Sequence, residues 1–227
     1  MERKIKFTQG EYYHVYSRGV EKRKIFLDGK DHERFLALLY IMNQNTPFNF
    51  ANFLKYHKLE EIFSEKREKP LVSILSYALM PNHFHILVYE HTKGGISKFM
   101  MRLLTAYSMY FNTKYERSGP LFIHPFRSAH ILKEPQYLWI FSYIHLNPLK
   151  IKKINIELVT PKNLSLAESF LNSYKYSSYI DYEGSTRPHS KILEMSIVPE
   201  YLLKTSVNLK DYKKWLMVEN IEGYPRY

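Results

Sequence analysis

The chain contains no cysteine. That absence removes disulfide frameworks, thiolate zinc sites, iron–sulfur clusters and a cysteine nucleophile, so any metal must be held by histidine, carboxylate or amide ligands. Glycine and proline are scarce as well, 8 and 11 among 227 residues, too few for a collagen-like or low-complexity chain. No stretch approaches the roughly 18 apolar residues of a membrane span. The opening residues, MERKIKFTQGEYY, carry charge but no apolar run of the kind a secretory signal needs. The expectation is a cytoplasmic protein.

Negative charge is the other shortage. Lys and Arg number 33 against 22 Asp and Glu, a formal balance of +11. Such a field attracts polyanions whatever fold lies beneath it, which makes nucleic acid the leading partner class. The 20 Tyr and 14 Phe could stack on bases, although aromatic residues serve cores more often. The size and the 45% apolar fraction fit a sizeable globular domain with an appendage.

Tyr12 to Ser17 is rich in strand formers and stops at Arg18-Gly19, which reads as a first strand and a turn. Residues 31–42 turn helical, with Phe35, Leu38, Leu39 and Met42 on one face and Asp31 and Glu33 in the first turn. Residues 46–69 carry mixed charge without a strong apolar period and read as a surface insertion, partly helical. Leu71 to Met80 and His83 to Tyr89 form a hairpin around Pro81-Asn82. A long helix follows, with Ile96, Phe99, Met100, Leu103, Leu104, Tyr107, Tyr110 and Phe111 at helical period and Ser97 as a candidate cap. No acidic residue occurs from Thr92 to Tyr115, so this helix has a one-signed outer surface. A further strand falls within 121–132, with a bend at His124-Pro125, and a helix runs from Pro135 to Asn147, where Pro148 stops it. The order β, α, β, β, α, β, α predicts an α+β fold: a ferredoxin-like antiparallel sheet with helices on one face.

Three features could carry chemistry. His83 and His85 lie two apart on a strand, so both imidazoles point to one face and can share one metal ion. Two structural histidines on a half-exposed sheet face fit the same spacing. On the helix, Gln136, Trp139, Tyr143 and Asn147 follow one stripe, and the last two are a turn apart. An amide completing a metal site beside a phenol that attacks phosphate is one reading; a packed tyrosine and a helix-ending asparagine are the other. From Lys114 to Lys153 there are seven Lys or Arg and two acidic residues. That bias suits a phosphate backbone or plain solubility.

Four segments then resemble one family: Tyr12-Tyr13-His14-Val15-Tyr16-Ser17-Arg18-Gly19, Met80-Pro81-Asn82-His83-Phe84-His85-Ile86-Leu87-Val88, Arg117-Ser118-Gly119-Pro120-Leu121-Phe122, and Tyr143-Ile144-His145-Leu146-Asn147-Pro148. In order and spacing they are similar to the HUH tyrosine transposases, specifically the REP-associated branch that acts on single-stranded DNA hairpins. The resemblance runs from about Tyr12 to Gly184, taking in Tyr176-Ser177-Ser178-Tyr179 and Tyr182. It departs from the family pattern at His124-Pro125-Phe126-Arg127 and in the longer 46–69 segment.

What the resemblance implies is a catalytic domain over 1–184 and a C-terminal extension over 185–227. It implies a ferredoxin-like core, His83 and His85 as metal ligands, Asn147 as the third, and Tyr143 as the nucleophile. The expected cofactor is a divalent metal, Mg²⁺ or Mn²⁺, and the expected product a covalent 5′-phosphotyrosine. Arg102, Lys114, Arg117 and Arg127 are the candidates for DNA contacts. His145 lies about 200° around the helix from Tyr143, an unsuitable place for a base. The expected partner is single-stranded or hairpin DNA, with nucleoid association when bound, no membrane, and a homodimer left open. A domesticated hairpin-binding protein that no longer cuts, and a hydrolase that uses water, are the competing readings.

Overall fold

A computed structural model describes residues 6–154 and 161–203. Strands β1 (Tyr12–Arg18), β2 (Val72–Met80), β3 (His83–Glu90) and β4 (Arg127–Ile131) form one sheet in the order β2-β3-β1-β4, with every neighbouring pair antiparallel. Helix α1 (Gly29–Ile41) connects β1 to β2, and α3 (Gly95–Lys114) connects β3 to β4. This is the ferredoxin-like α+β arrangement expected from the element order.

Strand alternation divides the core in two. Tyr13, Val15, Phe84, Ile86 and Val88 point to the face that α1 and α3 cover, where they meet Phe35, Leu39, Phe99 and Leu103. Leu75, Ala78, Leu87 and Ile131 point the other way, against Ile140, Phe141 and Ile144 of α4 (Glu134–Leu146). Helices therefore cover both faces, not one. The reason lies in α4, whose apolar residues fill most of its circumference and so need a sheet face of their own.

β2 serves both cores through a bulge. Its register against β3 shifts between Ile74 and Ser76, which puts Leu75 out of step. Ile74 and Tyr77 thus share a face although three positions separate them. Residues 46–69 also differ from the sequence reading. Helix α2 (Phe50–Tyr56) and the short turn at Leu59–Ser64 bury Phe50, Phe53, Ile62 and Phe63 in the first core. The apolar anchors were masked by abundant charge and by a change of element every few residues.

Helix α3 starts at Gly95, ahead of Ser97, and its first amides are met by a carboxylate. Glu90 Oε1 accepts from Gly94 N at 2.5 Å and from Gly95 N at 3.0 Å, where negative charge suits the helix dipole. A Cβ on Gly95 would lie 2.5 Å from the Leu71 carbonyl oxygen, so only glycine fits there.

The outer edge of β2 is covered by chain from far downstream. Leu79 N donates to Tyr176 O, Ser178 N to Tyr77 O and Glu194 N to Ile74 O, while the hydroxyls of Tyr174 and Tyr182 donate to Leu79 O and Leu75 O. Arg187 fastens the same segment. Its Nε and Nη2 reach the two oxygens of Asp181 at 2.9 and 2.6 Å, and Nη2 also donates to Tyr77 Oη and Ser177 O. Ile192 and Leu193 then enter the first core, and Val198 and Leu202 the second. The remainder of the expected extension, from residue 204, lies outside the described residues.

Candidate active site

Antiparallel register sets one row of side chains across the sheet. Arg127 of β4 is opposite Tyr16 of β1, Tyr16 is opposite His85 of β3, and His85 is opposite Ala78 of β2. One step along, Arg18 is opposite His83. The row faces α4. The His85 and Tyr143 rings meet edge to face with centroids 5.2 Å apart, and the His83 and His85 rings are 5.0 Å apart. Two strand imidazoles and the helix phenol thus share one cleft of about 210 Å³, whose wall also includes Arg18, Arg127 and Lys150.

Hydrogen bonds decide what one imidazole can offer. Asn82 Nδ2 donates to the Lys22 carbonyl, which can only accept, so Asn82 Oδ1 is the atom that faces His83 Nδ1 at 2.6 Å. His83 must therefore carry its proton on Nδ1, leaving Nε2 with a free lone pair. Burial, with Arg18 and Lys150 nearby, lowers its pKa to about 4 against an opposing contribution from Asn147, so it is neutral near pH 7.

His85 is buried, and its Nδ1 lies 2.8 Å from His14 Nε2. Burial first, then the neighbouring histidines, hold its pKa well below the usual value. His14, lowered to about 3 by burial, is neutral too. Of the two tautomers this pair allows, the one with the proton on His85 Nδ1 leaves Nε2 open. That Nε2 is buried without a hydrogen-bond partner, and so are both amide atoms of Asn147, which sits beside His83 without a bond of good geometry. Buried polar atoms of this kind are normally met by water or an ion.

These residues fit a divalent cation. Two neutral imidazoles and an amide oxygen form a borderline donor set that accepts Mn²⁺ readily and Mg²⁺ less so. Among the described residues no group of three or more His, Cys, Asp or Glu could hold a metal, so an amide is the available third donor. His14 was not among the candidates read from sequence. Its i, i+2 relation to Tyr16 on β1 puts it on the same face, but only the register with β3 brings it to His85.

Tyr143 is held by its neighbours on the helix. Trp139, one turn earlier, stacks on it at 4.9 Å and 9°, and Lys150 Nζ lies 4.8 Å from its ring centre. Gln136 lies outside the cleft, where its Oε1 accepts from Leu132 N and Lys133 N and starts α4. His145 points away from the cleft, toward Phe141 and Tyr182, with Nε2 2.8 Å from Ser178 Oγ. Burial takes its pKa down to about 3.

The four expected DNA contacts separate. Arg127 lines the cleft; Arg102, Lys114 and Arg117 do not. Arg102 donates to the carbonyls of Gln44, Asn45 and Thr46. Arg117 donates to Asn112 Oδ1 and Pro120 O. Lys114 bridges Asp28 at 2.8 Å and the fully buried Asp31 at 2.7 Å. Carbonyls leave a guanidinium charge uncompensated, whereas two carboxylates neutralise an ammonium. Charge counting along a sequence cannot distinguish these cases.

The IS200-like transposase family pattern matches residues 9–146, more than half of the chain. The chain belongs to the IS200-like transposases. Membership in this family of DNA transposases covers the whole sheet and α4, and with them His83, His85 and Tyr143; Asn147 and Lys150 follow directly after the matched span. No curated protein matches the chain significantly. Among solved structures, a REP-associated tyrosine transposase bound to a REP hairpin is 10% identical, with a TM-score of 0.47, over 83% of this chain and 90% of that one. Among the described residues no helix of this IS200-like transposase is long and apolar enough to cross a membrane.

Proposed function

We propose that this IS200-like transposase is of the REP-associated, HUH type and cleaves and rejoins single-stranded hairpin DNA through a tyrosine intermediate. One observation carries the reading: the Tyr143 ring meets His85, whose buried Nε2 has no partner. A nucleophile and an open metal-ligand position adjoin in a single cleft.

Tyr143 Oη attacks phosphorus. The phenolic proton leaves, the bond between phosphorus and the 3′ oxygen breaks, and that oxygen takes up a proton. The products are a 5′-phosphotyrosine and a free 3′-hydroxyl, so the phosphodiester energy is kept for rejoining by the reverse step. Trp139 stacking fixes the ring plane of the phenol. His83, His85 and Asn147 would hold Mg²⁺ or Mn²⁺, which supplies charge neutralisation at the phosphate when bound. His14 is the positioning residue for His85, keeping its proton on Nδ1, as partners of metal-bound histidines commonly do. Arg127 reaches the DNA backbone from the cleft wall.

The test is incubation with labelled single-stranded hairpins and Mn²⁺, followed by denaturing gel electrophoresis. A protein–DNA adduct is expected with the wild type and none with Tyr143→Phe. Cleavage by Tyr143→Phe without an adduct would indicate water as nucleophile. Hairpin binding without cleavage at every metal tried would leave a binding protein.

A further inference from the structure

Among the described residues, two of the cations that line the cleft, Arg18 and Lys150, have no carboxylate partner. Arg18 is half-buried at the end of β1, opposite His83. Lys150 lies seven residues after Tyr143, on the turn that continues α4, with its ammonium over the phenol ring. Among the described residues neither side chain makes an ion pair or hydrogen bond, and no carboxylate lines the cleft. Lys150 is exposed at the rim, yet partial desolvation and then the charge of Arg18 lower its pKa, so the two cations feel each other. Water offsets part of that repulsion at the open rim of the cleft, and an anion held between the two cations offsets it more fully.

We propose that Arg18 and Lys150 form a seat for a single phosphodiester phosphate, set between the paired histidines and the Tyr143 phenol. A guanidinium fork can take two phosphate oxygens at once, and an ammonium adds a movable point charge. Position decides which phosphate is held. Arg18 flanks the metal-ligand side through His83, and Lys150 flanks the nucleophile side through Tyr143, so the phosphate between them is the one the phenol attacks. That last identification rests on the strand-transfer reading; the anion seat does not.

The metal-free protein is titrated with inorganic phosphate, and the ring resonances of His83, His85 and Tyr143 are followed by NMR. Saturable shifts of these rings are expected for the wild type. Lys150→Met and Arg18→Gln should each weaken the apparent affinity about fivefold, the upper range for an ion pair that water and salt still screen. Lys150→Arg should retain it, and Lys152→Met, an exposed neighbour, should leave it unchanged. Because Lys150→Met relieves repulsion with Arg18, its melting temperature should not fall. Shifts that never saturate, or equal titrations for Lys150→Met and Lys152→Met, would overturn the seat. The hairpin adduct assay separates the two readings. Saturable phosphate binding without any adduct keeps the anion seat and removes strand transfer. An adduct formed by Lys150→Met at the wild-type rate removes the seat from the chemistry.

Discussion

Replacing His14 with leucine tests how the metal ligands are prepared. The substitution puts an apolar side chain of similar size in a position that is only 4% exposed, and removes the acceptor 2.8 Å from His85 Nδ1. In His14→Leu the buried His85 proton has two options. On Nδ1 it is unsatisfied; on Nε2 it occupies the atom that must bind the cation. Either choice costs about what one unsatisfied buried donor costs, roughly 1–3 kcal/mol, or about fivefold to 150-fold in affinity. Loss of the hydrogen-bond partner behind a metal-bound histidine generally falls in a similar range, about 10–100-fold. Mn²⁺ binding followed by electron paramagnetic resonance should weaken by that amount, and long-range ¹H–¹⁵N spectra of the metal-free protein should show the His85 proton moved to Nε2. His14→Gln, which restores an acceptor, should recover part of the loss. An Mn²⁺ affinity within twofold of wild type, in a variant that melts normally, would refute the reasoning.

Other perturbations separate scaffold from function. Lys114→Met leaves the buried Asp31 carboxylate with only two backbone amides and the hydroxyls of Tyr110 and Tyr115; breaking such a pair should cost about 3 kcal/mol in chemical denaturation, with little change in hairpin affinity. Arg127→Gln should reduce the salt dependence of single-strand binding by about 0.7 of a slope unit for one lost phosphate contact, and an unchanged slope would remove it from the interface. Glu33 is held down to about 2 by hydrogen bonds from His189 and Lys175 against an ordinary 4.5. Its stabilisation is therefore present above about pH 4.5 and lost as pH falls toward 2, so Glu33→Gln should flatten the acid limb of the stability profile.

Much of the fold was legible because local signals agreed with one another. Alternation on β3 assigned Phe84, Ile86 and Val88 to one face and His83 and His85 to the other, and the helical period alone placed α3. The candidate site was legible as two short motifs, His83-Phe84-His85 and Tyr143 through Asn147. Their meeting was not, since it depends on which sheet face α4 chooses. His14 was hidden for a related reason: a contact between β1 and β3 spans 71 positions and follows from register alone. Arg18 and Lys150 went unnoticed because a sequence shows how many cations a region has, but not which of them lack a carboxylate. Lys114 shows the converse, its charge met by Asp28 and Asp31.

The covered margin of β2 has a consequence for the order in which the molecule is completed. Nine residues of unbroken burial leave the ribosome about a hundred residues before the tyrosines and backbone amides that will occupy their vacant ladder. Until Glu194 has been made, a long apolar strand exposes unpaired peptide groups, the condition under which nascent chains adhere to one another. Once that downstream stretch closes over it, the same margin offers no ladder to a second copy, and growth of the sheet from that side is blocked.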